Sequence, residues 1–514
     1  MPRDFYLLKI WLNEVNAMKN LKLHSVAFQM IKDVEELYHV DSIALTDGTK
    51  LWNLLRIVIF YYFQKGDLSL SKNINSYKKK INYLVTSLLP ISFPKRIDFC
   101  GFSGTESRKL WRGKYFDIYM DPLYEVLGET FTIFEWPNEQ GYRIKYNGDV
   151  YSKNYVPMYI PVFTKTFWKI VYFEAFNKSP KIINNMILTD LITYISAEYS
   201  VNKKEFEKYI YSSIGIFLSV KFFLKTLLEK INPKGVIIRC GYTRFHMALS
   251  QACKELGIPT VEVQHGFITR YSIGYVKATN SLNRDCLPDY FLSYGNKFSE
   301  IVKKGNLFDS QNVASIGFPY LAVMKGKEIS VKNNLDNFIT NYRYTILITS
   351  DSLLHIALAV EDFSINLSKR LDEKNKNIGI IFKPHPFDKK EYQNLQKLGN
   401  VYVADKQDNV YHLMKIINVH STVFSTCAIE ALAFGKPNIV INIKGKYADN
   451  ISEIIDQKSS FIADNVDDYI MKLNLILLNY DKHSKEALQK SFEYFKGDSL
   501  KNLRNFINRL ENET

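Results

Sequence analysis

The sequence IGIIFKPHP (Ile378–Pro386) and, after about one βα unit, the sequence HSTVFSTCAIEALAFGKPNIVI (His420–Ile441) decide the fold class. The run Ile378–Phe382 has the length and composition of a strand buried on both faces of a parallel sheet. Lys383 and His385 follow at its carboxyl end, which is where open α/β sheets bind ligands. The prolines on either side of His385 fix the backbone, so the imidazole leaves the sheet in a set direction. An imidazole held in a fixed direction can bind a phosphate group.

The second stretch predicts a strand, a hydroxyl-rich turn and a helix. Residues 416–419 favour the strand, and the turn and the start of the helix supply four hydroxyl side chains: Ser421, Thr422, Ser425 and Thr426. Hydroxyls and free N–H groups at a helix N-terminus form a phosphate site, because the helix dipole and the unsatisfied donors point the same way. Glu430 lies roughly one to two turns into this helix, where a carboxylate can accept hydrogen bonds from ribose hydroxyls.

Together, KPHP, the Ser/Thr-rich turn and EALAFGKP resemble the C-terminal domain of GT-B glycosyltransferases. The chain is most similar to the bacterial surface-polysaccharide group, which includes capsule Kdo transferases, bacterial sialyltransferases and polyol-phosphate polymerases of the teichoic acid type. That resemblance implies an α/β fold of two Rossmann-like domains facing an interdomain cleft, with an extra helical region. It also implies that His385, Ser425 and Thr426 hold the donor phosphates, with Ser421 and Thr422 close by. Lys383 and Glu430 complete the donor-binding residues that we predict.

The periodicity of the chain predicts its organisation. We expect an N-terminal helical segment over residues 1–95, an acceptor domain over 96–325 with a helical insertion at about 152–232, a nucleotide-donor domain over 342–480, and C-terminal helices over 481–514. Residues 325–341 suit a linker, and Lys114–Glu125 predicts a helix. The donor domain starts with the strand Tyr344–Thr349, whose end brings Ser350 towards the donor phosphates. In this fold the C-terminal tail often crosses back to the first domain.

A second strand end carries VQHG (Val263–Gly266), after a βαβ unit over residues 236–264. VQHG resembles a motif of surface-polysaccharide transferases, and the related WHG of glycerol-phosphate polymerases implies that His265 is the catalytic base. This sequence has Gln264 in place of the tryptophan, and a histidine that orients a loop or binds phosphate remains an equal alternative.

Other charged residues in the acceptor domain are candidates for the site. Asp121 and Glu135 are carboxylates in the zone that we expect to face the cleft, and they are alternative bases, although a structural role is the simpler interpretation of each. Three arginines are candidates for phosphate or acceptor contacts: Arg108, Arg244 and Arg270. For the turn that carries Arg108, exposure as a solvated loop is an equal alternative.

The amino-acid composition restricts the kinds of binding partner that we expect. The formal charge is +14, but no zinc-finger or RNP-type motif accompanies it, so we expect no nucleic-acid partner. Attraction to the anionic face of the cytoplasmic membrane, where a lipid-linked acceptor is found, explains the charge, and so does the lysine bias of an AT-rich genome. The five cysteines show no CxxC spacing, which fits a reduced compartment without structural zinc.

Neither of the two most apolar stretches predicts a membrane span. Residues 51–63 contain Arg56 and are too short to cross a bilayer, and residues 211–228 are interrupted by Lys221 and Lys225. The first twenty residues lack the pattern of a signal peptide, because charged residues interrupt the apolar ones. We therefore expect a cytoplasmic protein that is soluble or peripheral on the inner face of the membrane.

These features predict transfer of a sugar from a nucleotide-activated donor, a CMP-linked one among the candidates, to a growing surface glycan such as capsule or lipopolysaccharide O-antigen. We expect no metal and no cofactor beyond the nucleotide-sugar co-substrate, because histidine, hydroxyls and a helix dipole can neutralise the leaving group. Transfer of a polyol phosphate from a CDP-activated donor and a non-catalytic protein that binds membrane surfaces are the alternatives. A nucleotide-sugar 2-epimerase shares the fold, but its glutamate- and arginine-rich signatures are not visible around His265.

Overall fold

The computed structural model describes residues 27–64, 96–104, 107–111, 113–136, 150–152, 154–157, 182–183, 185–326, 333–351, 354–374, 377–386, 388, 390–406, 408–423, 425–443 and 452–513. Much of the predicted N-terminal segment (1–95) and part of the predicted insertion lie outside these residues. The chain forms two compact units. The first unit comprises Val15–Ser293, Phe298–Ile316 and Leu500–Thr514; the second comprises Tyr294–Lys297 and Gly317–Ser499, together with Met1–Glu14, which lie outside the described residues.

Two parallel sheets form the centres of the two units. The first unit contains β1 (Phe99–Gly104), β2 (Phe131–Trp136), β3 (Tyr155–Pro157), β4 (Gly235–Ile238), β5 (Thr260–Val263), β6 (Tyr290–Ser293) and β7 (Val313–Ser315). The second contains β8 (Tyr344–Thr349), β9 (Ile378–Lys383), β10 (Val401–Val403), β11 (Val419–Thr422), β12 (Asn438–Ile441) and β13 (Ser460–Ala463).

Helices connect these strands. After a helical segment over residues 27–37 come α1 (Trp52–Gln64), α2 (Asp121–Leu127), α3 (Asn185–Glu198), α4 (Lys203–Ile231), α5 (Arg244–Glu255), α6 (Asn296–Lys304), α7 (Pro319–Lys325), α8 (Asn333–Thr340), α9 (Leu354–Glu373), α10 (Gln393–Gln396), α11 (Val410–Ile416), α12 (Cys427–Ala433), α13 (Val466–Leu478), α14 (Tyr480–Tyr494) and α15 (Ser499–Glu513).

The strand order is the same in both sheets. The first sheet has the order β7-β6-β5-β4-β1-β2-β3 and the second the order β10-β9-β8-β11-β12-β13, with all neighbouring strands parallel. Numbered within each sheet, the strands follow the doubly wound order 3-2-1-4-5-6, to which the first sheet adds a seventh. The winding therefore reverses between β1 and β4 in one unit and between β8 and β11 in the other. The prediction of an α/β fold with two Rossmann-like domains is confirmed.

Buried strands explain why the sheets form. All residues of β1, β4, β5 and β9 are buried, as expected where helices cover both faces of a parallel sheet. Gly101 in β1 allows the Phe131 ring to pack closely, since a Cβ there would lie 2.6 Å from that ring. Parallel pairing of these buried strands aligns their carboxyl ends at one edge of the sheet.

The C-terminal helix α15 completes the core of the first unit. Its apolar residues Leu503, Phe506, Ile507 and Leu510 are buried in one cluster with Phe99, Phe131 and Ile237 of the sheet. The Asn502 side chain donates a hydrogen bond to the carbonyl of Ile316, which fixes the start of the helix beside β7. The last residues of the chain therefore belong to the same unit as β1.

One described helix, α4, is long and apolar enough by length and composition to cross a membrane. In this structure α4 packs against α5 and α3. The Lys221 ammonium lies 2.6 Å from the Glu255 carboxylate and 3.1 Å from that of Asp47, and Lys225 also pairs with Glu255. Both lysines that interrupt its apolar sequence thus have carboxylate partners within the first unit.

Four local predictions from the sequence differ from the structure. Residues 416–419 are not the predicted strand, because Ile416 ends α11 and β11 is Val419–Thr422, so Ser421 and Thr422 lie in the strand and not in the turn after it. Lys114–Asp117 is a strand that forms an antiparallel hairpin with Arg108–Trp111, and the helix begins only at Asp121. Within the segment expected to be a linker, Asn333–Thr340 is helical. In the predicted helical insertion, Tyr155–Pro157 is the edge strand β3. Lys114–Asp117 and Tyr155–Pro157 are short segments whose pairing with a neighbouring strand, not their own periodicity, decides their structure.

Candidate functional site

The predicted donor-binding residues of the second unit lie at the carboxyl ends of adjacent strands. β8 lies between β9 and β11, and the three strands end at Thr349, Lys383 and Thr422. The N–H of Ser350 donates a hydrogen bond to the carbonyl of Lys383 at 3.0 Å, which joins the first two strand ends. The winding reverses between β8 and β11, so this edge is where a doubly wound sheet forms its ligand crevice.

Several of these side chains hold the edge together. The Lys383 ammonium is buried and donates to the carbonyls of Pro384 at 3.0 Å and Lys406 at 2.8 Å. The Ser421 hydroxyl pairs with the Tyr469 hydroxyl at 2.6 Å, and the Thr422 hydroxyl donates to the carbonyl of Thr349 at 3.3 Å. These contacts give Lys383, Ser421 and Thr422 a role in fixing the loops after β9, β8 and β11.

Other predicted residues are more open. His385, Ser425 and Thr426 are partly exposed, and the carbonyl of His385 accepts a hydrogen bond from the N–H of Asp388 at 2.9 Å, which closes the KPHP turn. The Ser425 hydroxyl accepts from the N–H of Cys427 at 3.3 Å and so caps α12, whereas Thr426 makes no capping bond. The three side chains therefore present an imidazole and two hydroxyls on adjoining loops of one strand edge.

Glu430 lies on α12 and is 9% exposed. Burial raises the pKa of the Tyr411 hydroxyl well above its usual value, and the nearby Glu430 carboxylate adds to the effect. Tyr320 lies in the same environment, 5.5 Å from Tyr411 between ring centroids. The predicted role of Glu430 at a ribose remains a prediction, and its neighbours in the structure are these two tyrosines.

In the first unit, His265 follows β5 and is held at two points. Its carbonyl accepts a hydrogen bond from the Tyr119 hydroxyl at 2.8 Å, and its Nε2 lies 3.2 Å from the Tyr242 hydroxyl. The preceding residue, Gln264, is fully buried, and its side-chain amide donates to the carbonyl of Gly266 at 2.7 Å. His265 Nδ1 is shielded from solvent and has no hydrogen-bond partner among the described residues.

The direction of the hydrogen bond with Tyr242 decides which nitrogen of His265 carries the proton. Burial raises the pKa of the Cys240 thiol to about 12, and a hydrogen bond with the Tyr242 hydroxyl has a smaller, lowering effect on it. If the Tyr242 proton is donated to Cys240, its oxygen accepts from Nε2–H of His265. The lone pair of the ring then lies on Nδ1, the atom that a general base needs.

The charge state of His265 is compatible with that role. Burial, with a smaller contribution from the Arg239 guanidinium, lowers the pKa of His265 to about 3. The imidazole is therefore neutral at pH 7 and able to accept a proton. An anion bound nearby would raise this pKa towards the range in which a base works best.

Arg239 and His246 were not predicted from the sequence, yet they lie in the same environment as His265. Arg239 follows β4, donates to the Ser107 hydroxyl at 2.7 Å, and lies over the Tyr119 ring at 5.7 Å. His246 is 4% exposed, and burial lowers its pKa to about 3, with Arg239 and His265 contributing. The available signal was RCGYTRFH, a polar segment directly after a buried strand.

The predicted carboxylates belong to a buried ionic cluster. The Arg108 guanidinium donates to Glu135 and lies 3.7 Å from Asp121, while the Tyr155 hydroxyl donates to Glu135 at 2.7 Å. Burial and the adjacent Asp117 raise the pKa of Asp121 to about 7. Arg108 and Glu135 are thus engaged with each other, and Asp121 is the member of the cluster that titrates near neutral pH.

Two predicted arginines lie on the surface. Arg244 is exposed at the first position of α5 and donates to the Ser213 hydroxyl of α4 at 3.3 Å. Arg270 is exposed, with its guanidinium 5.7 Å from the centroid of the Tyr271 ring. Neither contact connects these arginines to His265, and their predicted phosphate contacts remain predictions.

The fold and these strand edges define a class of protein. Two doubly wound sheets with imidazole, hydroxyl and guanidinium groups at their switch points are typical of α/β proteins that handle nucleotides and phosphates. Residues 250–496, just under half of the 514-residue chain, match the model of the family described as CDP-glycerol:poly(glycerophosphate) glycerophosphotransferase. The match contains both His265 and His385, and it confirms the resemblance to the teichoic-acid type of surface-polymer enzyme.

Comparison with solved structures gave more distant similarities. The S. aureus MnaA–UDP co-structure has 13% identity and a TM-score of 0.49, covering 81% of this chain and 98% of that one. A putative UDP-N-acetylglucosamine 2-epimerase from Listeria monocytogenes has 15% identity and a TM-score of 0.49, covering 82% and 98%. The wall teichoic acid polymerase TagF has 10% identity and a TM-score of 0.46, covering 86% and 99%. No curated protein matched in sequence.

Proposed function

We propose that the protein transfers a polyol phosphate, such as glycerol phosphate, from a CDP-activated donor to a hydroxyl group of a growing cell-surface polymer. The observation that carries this proposal is the family match over residues 250–496, which includes the two histidines at strand ends, His265 and His385. The match favours polyol phosphate over sugar as the transferred group.

In the proposed reaction, the acceptor oxygen attacks the phosphorus that bears the polyol. A new P–O bond forms, the bond between this phosphorus and the bridging oxygen of the diphosphate breaks, and CMP leaves. The hydroxyl proton passes to Nδ1 of His265, which supports the choice of this residue as base because that atom has no other partner among the described residues.

The second unit supports a role in binding the donor. His385, Ser425 and Thr426 are partly exposed at the edge where the sheet reverses its winding. An imidazole and hydroxyls there would hold the diphosphate and stabilise the charge that develops on CMP. We extend this proposal to metal independence: a chelator in the assay would leave the rate unchanged, whereas a rate that falls and returns with Mg²⁺ would contradict it.

Release of CMP from CDP-glycerol in the presence of a glycerol-phosphate oligomer tests the function. We expect turnover with CDP-glycerol and not with CMP- or UDP-linked sugars, and His265→Ala should reduce kcat by about 10²–10⁴-fold, the usual contribution of a general base. His385→Ala should abolish the increase in melting temperature that CDP produces in the wild type.

His412→Ala, a change on α11 that keeps every proposed site residue, is the matched control and should retain activity. Turnover with a nucleotide sugar instead of CDP-glycerol would overturn the choice of donor. A folded protein that binds anionic vesicles but hydrolyses or transfers no donor would favour the non-catalytic alternative.

A further inference from the structure

We propose that Glu262 of β5 is a positioning residue, which holds the Tyr242 hydroxyl against the imidazole of His265. It acts through the two segments that enclose the Tyr242 side chain, one after β4 and one in the loop between β5 and β6. That His265 is the base rests on the proposed function, whereas the link from Glu262 to the imidazole rests on geometry.

Glu262 places a carboxyl group in a strand that is buried on both faces. The residue is 1% exposed, and its partners across the sheet are Ile238 of β4 and Phe291 of β6. Val261 and Val263 point to the opposite face, where they join the core cluster that contains residues of α15. A carboxyl group is rarely buried in such a place unless hydrogen bonds satisfy it.

The hydrogen bonds of Glu262 join two segments on either side of Tyr242. Its Oε1 accepts from the Tyr275 hydroxyl at 2.7 Å. The carboxylate also accepts from the backbone N–H of Gly241, the residue that precedes Tyr242. One side chain of β5 therefore ties the turn after β4 to the loop between β5 and β6.

Close packing leaves the Tyr242 ring little freedom. A Cβ at Gly241 would collide with the Glu262 carboxylate, and a Cβ at Gly274 would collide with the Tyr242 ring. The Tyr275 ring lies edge-on to the Tyr242 ring, with 5.5 Å between the centroids and 89° between the planes. The segment that bounds the Tyr242 ring is thus the one that the hydrogen bond to Glu262 holds in place.

The Tyr242 hydroxyl transmits this arrangement to His265. It lies 3.2 Å from Nε2 of the imidazole, and the two ring centroids are 5.6 Å apart. This contact acts on both the tautomer and the direction of the His265 ring. A hydroxyl that accepts from Nε2–H leaves the lone pair on Nδ1, the atom that the proposed reaction requires.

Both protonation states of Glu262 can keep its two contacts. The carboxylate accepts at both oxygens, whereas the protonated group accepts from the Gly241 N–H at one oxygen and donates from the other to the Tyr275 hydroxyl. A glutamine can do the same with its carbonyl and its amide N–H. Leucine has neither donor nor acceptor, so Glu262→Gln and Glu262→Leu differ in the contacts that the proposal invokes.

Steady-state kinetics of the full-length protein with CDP-glycerol and a glycerol-phosphate oligomer test this role. We expect Glu262→Leu to lower kcat about tenfold with KM unchanged within about twofold, because the base loses its orientation while the substrates still bind. Glu262→Gln should keep kcat within about threefold of the wild type. An unchanged kcat in Glu262→Leu, or an equal loss in both variants, would overturn the proposal.

Val261→Ala is the matched control for a loss of stability. It removes buried atoms from the opposite face of the same strand, so it should lower the melting temperature and leave kcat unchanged. If Val261→Ala lost as much kcat as Glu262→Leu, the effect of Glu262 would be one of stability and the proposal would be wrong.

A double-mutant cycle tests whether Glu262 acts through Tyr242. In that case Tyr242→Phe/Glu262→Leu should have the kcat of Tyr242→Phe alone, within about twofold. Independent effects would multiply to a loss of about a hundredfold and would contradict the proposed link.

Nitrogen-15 NMR of the histidine-labelled protein reads the tautomer of His265 and needs no turnover. With the His265 signals identified by their loss in His265→Ala, we expect a neutral ring protonated at Nε2 in the wild type at pH 7, and a mixture of tautomers in Glu262→Leu. Tyr275→Phe removes only one of the two contacts, and a smaller shift towards a mixture in this variant keeps the test available if Glu262→Leu does not fold. A proton on Nδ1 in the wild type, or the same single tautomer in all variants, would contradict the proposal.

Measuring both turnover and tautomer separates this inference from the proposed function. If the wild type did not turn over CDP-glycerol while the tautomer of His265 depended on Glu262, the proposed function would fail and the link would stand. If the wild type were active and Glu262→Leu kept both its kcat and its tautomer, the proposed function would stand and the link would fail.

Discussion

At the scale of single residues, neighbours set the protonation of the buried groups. The pKa of His265 falls to about 3 and that of Glu262 rises to about 7, mainly because burial disfavours the charged form of each. Hydrogen-bond partners then decide which atom of the group is available. Tyr242 acts on His265 in this way, and Tyr275 acts on Glu262 through a hydrogen bond of 2.7 Å.

Tyr242→Phe tests the positioning of the base. Without the hydroxyl, the Nε2 tautomer and the ring orientation of His265 are no longer fixed, so we expect kcat to fall by about tenfold with little change in KM, from the loss of roughly one hydrogen bond. The pH dependence of kcat should also shift. A parallel loss of kcat and melting temperature with an unchanged pH profile would indicate a purely structural role.

Glu262→Gln tests the buried carboxyl of β5. Its folded pKa is raised to about 7, so between about pH 4.5 and pH 7 the folded state keeps a proton that the unfolded state has released. The wild type therefore loses stability as the pH rises through this range, by on the order of 2–3 kcal/mol. Thermal unfolding at pH 5 and pH 8 should show a smaller loss in Glu262→Gln, whereas the exposed control Glu300→Gln should follow the wild type.

Residue patterns predicted part of the site. The prolines around His385 and the glycine after His265 marked strand ends, and both histidines lie there in the structure. Arg239 and His246 were missed because their importance depends on the proximity of β1 to β4 and β5, and more than a hundred residues separate β1 from β4 in the sequence. The pairing of Arg108 with Glu135 joins residues 27 positions apart, and local periodicity gives no signal for such a contact.

At the scale of elements, strong periodicity predicted structure and weak periodicity did not. The strand Tyr344–Thr349 has the predicted bounds, because a run buried on both faces has few alternatives. Lys114–Asp117 became a strand because the hairpin partner Arg108–Trp111 pairs with it, although its sequence was compatible with a helix. Tertiary contacts decide such short segments.

Lys221→Met tests what holds the apolar helix α4 to its unit. The lysine side chain is 10% exposed and pairs with Glu255 and Asp47. Its removal leaves the half-exposed Asp47 without this partner, whereas Glu255 is still paired with Lys225. We expect a loss of about 1–3 kcal/mol in the free energy of unfolding. Lys225→Met, at a side chain that is 34% exposed, should cost less than about 1 kcal/mol. Equal losses in the free energy of unfolding would show that the ion pairs of Lys221 contribute no more to stability than the ion pair of Lys225.

At the scale of the whole molecule, each of the two units is built from several separate segments of the chain. The sequence predicted two Rossmann-like domains because each contains alternating buried strands and helices. The position of α15 in the core beside Phe99 was expected only from the fold resemblance, since an amphipathic terminal helix has no sequence signal that names its partner.

Leu510→Ala tests the contribution of α15. The side chain is 1% exposed in the core cluster, so we expect a loss of about 2–5 kcal/mol in the stability of the first unit. Lys501→Ala, on the exposed face of the same helix, should change stability by no more than about 0.5 kcal/mol. Chemical unfolding followed by a probe in the first unit measures both, and similar small effects would mean that α15 is dispensable.

The net charge of +14 leads to a prediction for membranes. We expect the protein to sediment with vesicles that contain anionic lipids, and the bound fraction to fall when the salt concentration rises from about 0.05 M to about 0.5 M, because screening shortens the reach of surface charge. Vesicles of neutral lipid are the control. Equal binding to anionic and neutral vesicles would contradict the prediction, and the lysine bias of an AT-rich genome would then be the explanation of the positive charge.

The return of α15 to the first unit also constrains the order in which the chain can fold during synthesis. Domains ordinarily fold from the N-terminus as they leave the ribosome. Here the core around Phe99 and Phe131 has to wait for Leu503 to Leu510, which emerge after the second unit. The first unit to begin is therefore the last to finish, and until then its core lacks the apolar face of α15.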